Sequence, residues 1–195
     1  MTDAFDATLA GTLWPTRRSL RFARIAALAV GGTLALALSA KIQVPFTPVP
    51  MTLQTLVVLA LGAAYGARLA AATVALYLLE GVLGLPVFAG ALAGPGYMAG
   101  PTGGFLAGFL LAAALVGMLA ERGWDRSWGL LLAAMALGHV VIFALGFAWL
   151  AILIGPEKAF MLGVAPFALA TIVKTLLACA LVGAAWSALD RPPGV

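Results

Sequence analysis

Six long apolar runs constrain the fold of this chain more than any other feature of its sequence. Each has roughly the 17 to 25 residues that a helix needs to cross a bilayer, although the second and third lie near the lower limit. The runs cover residues 25–40, 53–67, 69–85, 105–120, 130–154 and 167–189. We therefore predict an all-α, polytopic membrane protein with six transmembrane helices. It is expected to form a single domain over residues 1–195, in which 1–19 are a flexible N-terminal segment and about 20–189 form the transmembrane bundle.

The composition supports a membrane protein. Of the 195 residues, 64% are hydrophobic and 9% are charged, whereas soluble domains have about 45 to 50% apolar and about 25% charged residues. The first apolar run follows four arginines and resembles a signal peptide that ends near residue 40. Because the rest of the chain is itself repeatedly apolar, we interpret this run as the first span and not as a cleaved leader.

The basic residues predict the orientation of the chain. With the N-terminus in the cytoplasm, eight basic residues fall on the cytoplasmic side and only two, Lys41 and Lys158, on the outer side. The eight are Arg17, Arg18, Arg21, Arg24, Arg68, Arg122, Arg126 and Arg191. This excess predicts cytoplasmic N and C termini in a multi-pass protein of the cytoplasmic membrane. Since the basic residues gather at segment ends and form no stripe, we expect no nucleic-acid partner.

Two proline-rich connectors, residues 41–52 and 86–103, then lie on the outer face. The second belongs to a stretch, residues 84–104, that contains seven of the chain's 23 glycines, three prolines and no charged residue. Proline and glycine exclude a regular helix there, and bare irregular backbone is too costly in lipid. The stretch is therefore expected to pack against protein or to line a cavity, which predicts a pocket at the outer face.

Lys174 is the most informative single residue because it is a basic residue within a span. It lies about eight residues, or roughly 12 Å, below the outer end of the sixth helix. At that depth its ammonium group needs an anionic partner. One candidate is a ligand carboxylate. The other is a salt bridge to Glu80, at a comparable depth in the third span, with which a ligand could compete.

Several uncharged polar residues are candidate hydrogen-bonding groups for a ligand, with helix capping as the alternative for two of them, Thr52 and Thr102. The candidates are Thr52, Gln54, Thr102 and Thr171. Glu80 either accepts hydrogen bonds from ligand N–H groups or lies at a helix end in the membrane interface. The single histidine, His139, lies in the middle of the fifth span. A hydrogen-bonded core role is favoured for it over a proton relay, because one histidine cannot form a metal site.

The sequence lacks the motifs of most catalytic and cofactor sites. It has no GxxxxGK[ST] phosphate loop, no HExxH, no CxxC and no GxSxG motif. Beyond the termini it has only four acidic residues, Glu80, Glu121, Asp125 and Glu157. We therefore predict that the chain is not an enzyme, holds no metal or cofactor and does not itself hydrolyse ATP.

Three motifs in a fixed order resemble those of the BioY family, the biotin-specific S components of energy-coupling factor (ECF) vitamin transporters. They are PVPMTLQTL at residues 48–56, YLLEGVLGLPVFAG at 77–90 and GPTGGFLAGF at 100–109. The resemblance covers about residues 20–189. It implies high-affinity biotin uptake, six transmembrane helices and an outward-facing site roofed by the first and third external connectors. It also allows association with a transmembrane coupling protein and two cytoplasmic ATPases.

Biotin itself matches the candidate residues of the outer pocket. Its single carboxylate suits one buried lysine, Lys174, and its ureido group needs a few hydrogen bonds. Its bicyclic body needs apolar and aromatic walls, for which we expect Phe88, Tyr97 and Phe105.

The resemblance also has implications for the position of Thr171 and for the first helix. The family commonly has an acidic residue three positions before the lysine, where this chain has Thr171, and Glu80 is expected to compensate for it. Small residues on the first helix form the partner-docking face in such S components. Here that face is expected to be Ala23, Ala27 and Gly31, whose spacing of four allows close helix packing.

Three other functions stay open on the sequence alone. An S-type transporter for another small monocarboxylate would need the same single lysine. An intramembrane lipid-modifying enzyme is disfavoured by the lack of clustered acids. A structural or assembly subunit would have connectors that only plug the bundle, and ligand-dependent thermal stabilisation would distinguish it from a binding protein.

Overall fold

Eight α-helices make up most of the chain in the computed structural model, which describes residues 8–14 and 20–189. The helices are α1 Leu9–Leu13, α2 Arg21–Lys41, α3 Gln54–Val82, α4 Pro95–Ala99, α5 Gly103–Ala120, α6 Trp128–Ile154, α7 Pro156–Gly163 and α8 Ala168–Leu189. Short 3₁₀ turns at Trp124–Arg126 and Ala165–Phe167 precede α6 and α8. Two short strands, β1 Gln43–Val44 and β2 Met51–Thr52, lie between α2 and α3. Apart from this strand pair, the predicted all-helical membrane fold is confirmed.

The longest helical element, α3, is a hairpin and not a straight rod. Gly66 interrupts it with φ 75° and ψ 172°, a backbone conformation that is open to glycine and strained for other residues. Gln54 and Tyr77 are 23 residues apart, yet Nε2 of Gln54 donates a hydrogen bond to the Tyr77 hydroxyl at 2.7 Å. A straight helix would separate them by about 35 Å. The two limbs are therefore antiparallel, with Gly66 at the turn.

Five helical elements of the described residues are long and apolar enough to cross a membrane, where the sequence predicted six. They are Arg21–Lys41, Gln54–Val82, Gly103–Ala120, Trp128–Ile154 and Pro156–Leu189, the last of which joins α7 to α8. The count of elements differs because the runs at 53–67 and 69–85 form the two limbs of one element, α3. The sequence indicated a turn at Arg68, whereas the break is at Gly66 and the helical pattern resumes directly after it.

Part of the N-terminal segment is helical, contrary to the prediction of a flexible segment over residues 1–19. The Thr8 hydroxyl caps α1 by accepting a hydrogen bond from the backbone N–H of Gly11 at 3.2 Å. Leu9 and Ala10 are buried, and α1 packs against α3. Residues 1–7 and 15–19 lie outside the described residues.

At the end of the bundle where α3 turns, hydrogen bonds join the segment between α5 and α6 to α3 and to α8. The Glu121 carboxylate, just after α5, accepts a hydrogen bond from the backbone N–H of Ala67 at 2.9 Å. Asp125 is buried, and its Oδ2 accepts a hydrogen bond from Nε1 of Trp186 in α8 at 2.8 Å. This end also includes three arginines of the predicted cytoplasmic set, Arg68, Arg122 and Arg126.

The two proline-rich connectors meet at the opposite end of the bundle. Within the first connector, β1 and β2 pair in an antiparallel register with Gln43 opposite Thr52. Lys41, the last residue of α2, donates hydrogen bonds to the backbone oxygens of Phe88 at 2.8 Å and Gly90 at 2.7 Å. These two oxygens belong to the second connector, so the end of α2 holds that connector in place.

Phe88 anchors the second connector in the bundle. Its fully buried ring packs edge-on against Tyr77, with centroids 5.6 Å apart, and stacks on Tyr97 at 4.8 Å. The ring fits only because Gly81 has no side chain, since a Cβ at that position would lie 2.0 Å from Cζ of Phe88. The connector is therefore irregular backbone packed against protein, as the sequence predicted.

The central helix is α5. It packs against α3 and against α6, and twelve of its 18 residues are buried. Since α8 also contacts α3 and α6, these four helices surround the space beneath the connectors.

Candidate functional site

A small cavity of about 40 Å³ lies at the connector end of the bundle. Both proline-rich connectors and the helices α3, α5, α6 and α8 contribute to its wall. The lining residues are Val49, Pro50, Thr52, Gln54, Thr55, Ala89, Tyr97, Thr102, Phe105, Leu106, Phe109, Ile142, Phe143, Phe167 and Lys174. The cavity thus lies where the sequence predicted a pocket, between the connectors and the lysine of the last helix.

Lys174 is the only charged side chain among the described residues that line this cavity. It is 7% exposed, and Nζ donates a hydrogen bond to the backbone oxygen of Thr52 at 3.1 Å. Within residues 8–14 and 20–189, no ion pair joins it to Glu80, the partner that the sequence left open. A buried cation whose hydrogen-bond partner is a neutral carbonyl is suited to receive an anionic ligand.

Thr52 and Gln54 form a hydrogen-bonded pair in the cavity wall. The Thr52 hydroxyl donates to Oε1 of Gln54 at 3.1 Å and accepts from the Gln54 backbone N–H at 3.3 Å. Gln54 is 4% exposed, so its amide is held inside the protein. Because the backbone of Thr52 also contacts Lys174, these two predicted polar residues lie next to the lysine.

Aromatic rings form much of the remaining wall. Tyr97 from α4 and Phe105 from α5 line the cavity, as predicted. Phe143 packs against Phe105 and against Phe167, with ring centroids 6.0 Å apart in each pair. Burial raises the pKa of Tyr97 above its ordinary value of 10.0, so its phenol stays protonated at neutral pH. The wall therefore offers apolar ring surfaces and one neutral hydroxyl to the ring system of a ligand.

Three predicted binding residues lie outside this wall. Phe88 is buried behind Tyr97, and its neighbour Ala89 lines the cavity instead. Thr171 lines a separate groove between α6 and α8. Glu80 is half-buried near the end of α3 and is not among the lining residues. The structure thus brings together Thr52, Gln54, Tyr97, Thr102, Phe105 and Lys174, but not Glu80, Phe88 or Thr171.

The small-residue face of α2 lies on the outside of the bundle. Ala23, Ala27 and Gly31 are all exposed. A Cβ placed on Gly31 would meet no atom of the described residues within 4 Å. The face is therefore accessible to another helix, and its small side chains would allow a close approach.

His139 has the hydrogen-bonded core position that the sequence favoured. It is 3% exposed, and its Nδ1 lies 3.0 Å from the Thr175 hydroxyl and 3.2 Å from the Met135 backbone oxygen. The Thr175 hydroxyl donates its own proton to the Thr171 backbone oxygen at 2.8 Å, so Nδ1 of His139 carries the proton in this contact. The described part of the chain contains no cluster of three or more His, Cys, Asp or Glu side chains that could hold a metal ion.

Sequence reasoning missed several residues of the wall, among them Phe167, Phe143 and Thr55. Phe167 precedes Lys174 by seven residues, about two helical turns, so its periodicity could have identified it. Phe143 carries no such signal because α6 is apolar on all faces. The Thr55 hydroxyl is buried with no hydrogen-bond partner in the described residues, and its place beside Gln54 could have indicated a polar role.

A larger basin of about 550 Å³ lies outside the cavity, between the two connectors. The cavity and the basin share four wall residues, which we call the partition: Pro50, Ala89, Tyr97 and Thr102. A cavity of about 40 Å³ has room for only a few water molecules. A ligand of vitamin size can therefore enter only if residues of the cavity wall move.

Comparisons with known proteins point to one family. The sequence profile described as the BioY family matches residues 10–191. A probable biotin transporter BioY of Pyrococcus horikoshii is 40% identical over 139 residues, which are 71% of this chain and 82% of that protein. The biotin transporter BioY of Thermotoga maritima is 37% identical over 147 residues, which are 75% of this chain and 86% of that protein.

A solved structure has the same fold. It is the crystal structure of the S-component for biotin from an ECF-type ABC transporter, which matches with a TM-score of 0.76 at 22% sequence identity. The match covers 87% of this chain and 94% of that chain.

Proposed function

The chain belongs to the BioY family, and on that premise we propose that it takes up biotin with high affinity across the cytoplasmic membrane. It binds biotin in the cavity around Lys174 and acts as the substrate-binding S component of an ECF-type transporter. The family is one of transporters, so the chain is not an enzyme.

The position and contacts of Lys174 give the main support for this proposal. It is buried, it is the one cation of the described cavity wall, and it contacts a neutral backbone oxygen. Biotin has a single carboxylate, which would form a stronger, charge-assisted hydrogen bond with the ammonium group. The bicyclic rings of biotin then fit against the aromatic wall that includes Tyr97, Phe105 and Phe143.

Biotin would enter the cavity from the basin. The basin is about 550 Å³ and the cavity about 40 Å³, and only the partition separates them. Three of the partition residues, Ala89, Tyr97 and Thr102, lie in the glycine-rich second connector, where the backbone has the freedom that a gate needs. Outward movement of this connector would join the two spaces.

We infer six membrane crossings with both termini in the cytoplasm. The limbs of α3 are antiparallel, so the chain leaves α3 on the side from which it entered. Together with the four other spanning elements, the two limbs give an even number of crossings, which favours termini on one side. The arginines at the end with the Gly66 turn favour the cytoplasm for that side. Arg17, Arg18 and Arg191 of the predicted set lie outside the described residues.

We also propose that α2 docks on a transmembrane coupling protein, which in turn joins two cytoplasmic ATPases. The exposed residues Ala23, Ala27 and Gly31 support this docking face, and the chain has no phosphate loop of its own. Gly31→Leu should abolish copurification with a coexpressed coupling protein and leave biotin binding intact. Copurification that survives this variant would exclude this face as the docking surface.

The direct test of the function is the binding of labelled biotin to the purified protein in mild detergent. We expect saturable binding and a higher melting temperature with biotin, because a ligand of the folded state stabilises it. Stronger displacement by another small monocarboxylate, such as lipoate or nicotinate, would identify that acid as the ligand. No stabilisation by any of these acids would favour a structural subunit. Lipid turnover by a Lys174→Ala protein that binds nothing would favour an intramembrane transferase.

A further inference from the structure

The amide of Gln54 is held at both ends by hydrogen bonds. Its Oε1 accepts from the Thr52 hydroxyl at 3.1 Å, and its Nε2 donates to the Tyr77 hydroxyl at 2.7 Å. Gln54 lines the cavity, whereas the fully buried Tyr77 does not. The Tyr77 hydroxyl therefore reaches the cavity wall directly through this amide, while its ring packs on Phe88 behind the wall.

The Tyr77 hydroxyl determines which way the amide faces. It donates its single proton to the backbone oxygen of Val87 at 2.9 Å. Its oxygen can then only accept a hydrogen bond from Gln54, which requires the amide NH₂ group to face Tyr77. The Thr52 hydroxyl does not impose an orientation by itself, because a hydroxyl can donate or accept.

This orientation leaves Gln54 with a second N–H beyond the one that Tyr77 accepts, on a residue that shares the cavity wall with Lys174. The NH₂ group has two N–H donors, of which Tyr77 accepts one. Thr52 lies between the two residues, since its hydroxyl contacts Gln54 and its backbone oxygen is the partner of Lys174 at 3.1 Å. A carboxylate has two oxygens and about four lone-pair sites, so it can accept from an ammonium group and from an amide N–H together.

We propose that Tyr77 is a positioning residue that makes Gln54 a second donor, beside Lys174, for the carboxylate of the ligand. The proposal rests on the proposed function, since it takes the biotin carboxylate as the bound group. Without the Tyr77 hydroxyl, the Gln54 amide is free to turn its oxygen towards the carboxylate, where two partly negative oxygens repel each other. Tyr77 also donates a hydrogen bond to the backbone oxygen of Val87 in the second connector. Recognition of the carboxylate therefore depends on the position of that connector.

Tyr77→Phe tests this role because it keeps the buried ring and removes only the hydroxyl. The affinities for biotin and for biotinamide, whose neutral amide replaces the carboxylate, are measured in the same protein. Wild type is expected to prefer biotin, and Tyr77→Phe should lower this preference about five- to tenfold through the loss of one charge-assisted hydrogen bond. A residue with only a packing role would weaken both ligands equally. An unchanged ratio of the two affinities in this variant would overturn the proposal.

Tyr65→Phe is the matched control. The Tyr65 hydroxyl also donates to a backbone oxygen, that of Leu28 at 3.0 Å, and Tyr65 does not line the cavity. Its removal should leave the ratio unchanged. If Tyr77→Phe does not fold, Gln54→Leu tests the same step and should lower the preference to a similar extent, whereas an unaltered preference would contradict the proposal. Failure of wild type to bind biotin would instead contradict the proposed function.

Discussion

Nζ of Lys174 lies 3.1 Å from the backbone oxygen of Thr52, although 122 residues separate them in the sequence. This contact joins α8 to the first connector. The ammonium group has three N–H donors, so it can keep this contact and also donate a stronger, charge-assisted hydrogen bond to a ligand carboxylate. An acid bound by Lys174 would therefore contact the residue that links α8 to the connector that covers the cavity.

Lys174→Ala should weaken biotin binding several-fold to a thousandfold, on the order of 1 to 4 kcal/mol for the loss of a buried charge-assisted contact. Titration of the purified variant with labelled biotin measures the effect. Lys158→Ala, a change at an exposed lysine of α7, is the control and should bind as wild type does. Unaltered affinity in Lys174→Ala would remove Lys174 from the binding site.

Lys41→Met should speed the release of bound biotin. The variant loses the two hydrogen bonds to Phe88 and Gly90 that hold the second connector, so the partition opens more often. We expect a dissociation rate about three- to tenfold higher, together with faster amide hydrogen exchange over residues 86–94. The exposed Lys158→Met serves as the comparison. Equal release rates in both variants would mean that Lys41 does not control the connector.

Glu80 and Thr171 test how far the family pattern applies to this chain. The resemblance suggested that Glu80 compensates for the missing acid at Thr171, but neither residue lines the cavity in the structure. We therefore expect Glu80→Gln, Glu80→Leu and Thr171→Val to bind biotin with the affinity of wild type. A marked loss in both Glu80 variants would restore that residue to the site and would require the outer end of α3 to move when the ligand binds.

Gly81→Ala should destabilise the protein and displace the second connector. The new Cβ would lie 2.0 Å from Cζ of Phe88, whose ring is fully buried. Overpacking of this kind costs about 1 to 3 kcal/mol. The melting temperature in detergent should fall, and biotin binding should weaken. Gly96→Ala, where a Cβ would meet nothing within 4 Å, should melt as wild type does. Equal melting temperatures would show that Phe88 can move at little cost.

Asp125 should make the stability of the bundle depend on pH. Its Oδ1 is buried with no hydrogen-bond partner in the described residues, while Oδ2 accepts from Trp186. Burial raises the pKa of this carboxyl above its ordinary value of 3.8, although the nearby Arg126 acts in the opposite direction. The folded state therefore holds the proton more tightly than the unfolded state. This contribution to stability is fully present below pH 3.8 and is lost as the pH rises through the raised pKa.

Asp125→Asn should consequently raise the melting temperature at neutral pH, since it removes a buried charge and keeps an oxygen for Trp186. The gain should shrink as the pH falls through the raised pKa and disappear in acid. Melting curves at a series of pH values measure it, with the exposed Glu157→Gln as the control. A gain of the same size at every pH would exclude titration of Asp125 as its cause.

The sequence predicted the residues of the site that had a chemical signal. Lys174 stood out as a charge within a span, and Thr52 and Gln54 as polar groups at the end of a proline-rich connector. All three line the cavity and lie together. Their chemistry is unusual for their surroundings, so their identity alone indicated a role.

The structure places residues differently from the sequence prediction where their orientation depends on packing. Thr171 lies three residues before Lys174, which turns it away by about 60° on the helix and places it in the groove towards α6. In the second connector the backbone has no regular period, so the sequence could not show that Ala89 lines the cavity while Phe88 is buried behind it. The turn of α3 was misplaced for a similar reason, because Arg68 had a charge signal and Gly66 had only its conformational freedom.

The partition between cavity and basin is built entirely from the connectors and the short α4, and none of its four side chains comes from a spanning helix. The side chains that separate the cavity from the basin are thus distinct from those that form the core of the spanning helices. Substitutions at Pro50, Ala89, Tyr97 or Thr102 are expected to change how long a ligand stays bound while the surrounding helices keep their arrangement. The partition is therefore the part of the protein at which the rate of ligand release can be altered.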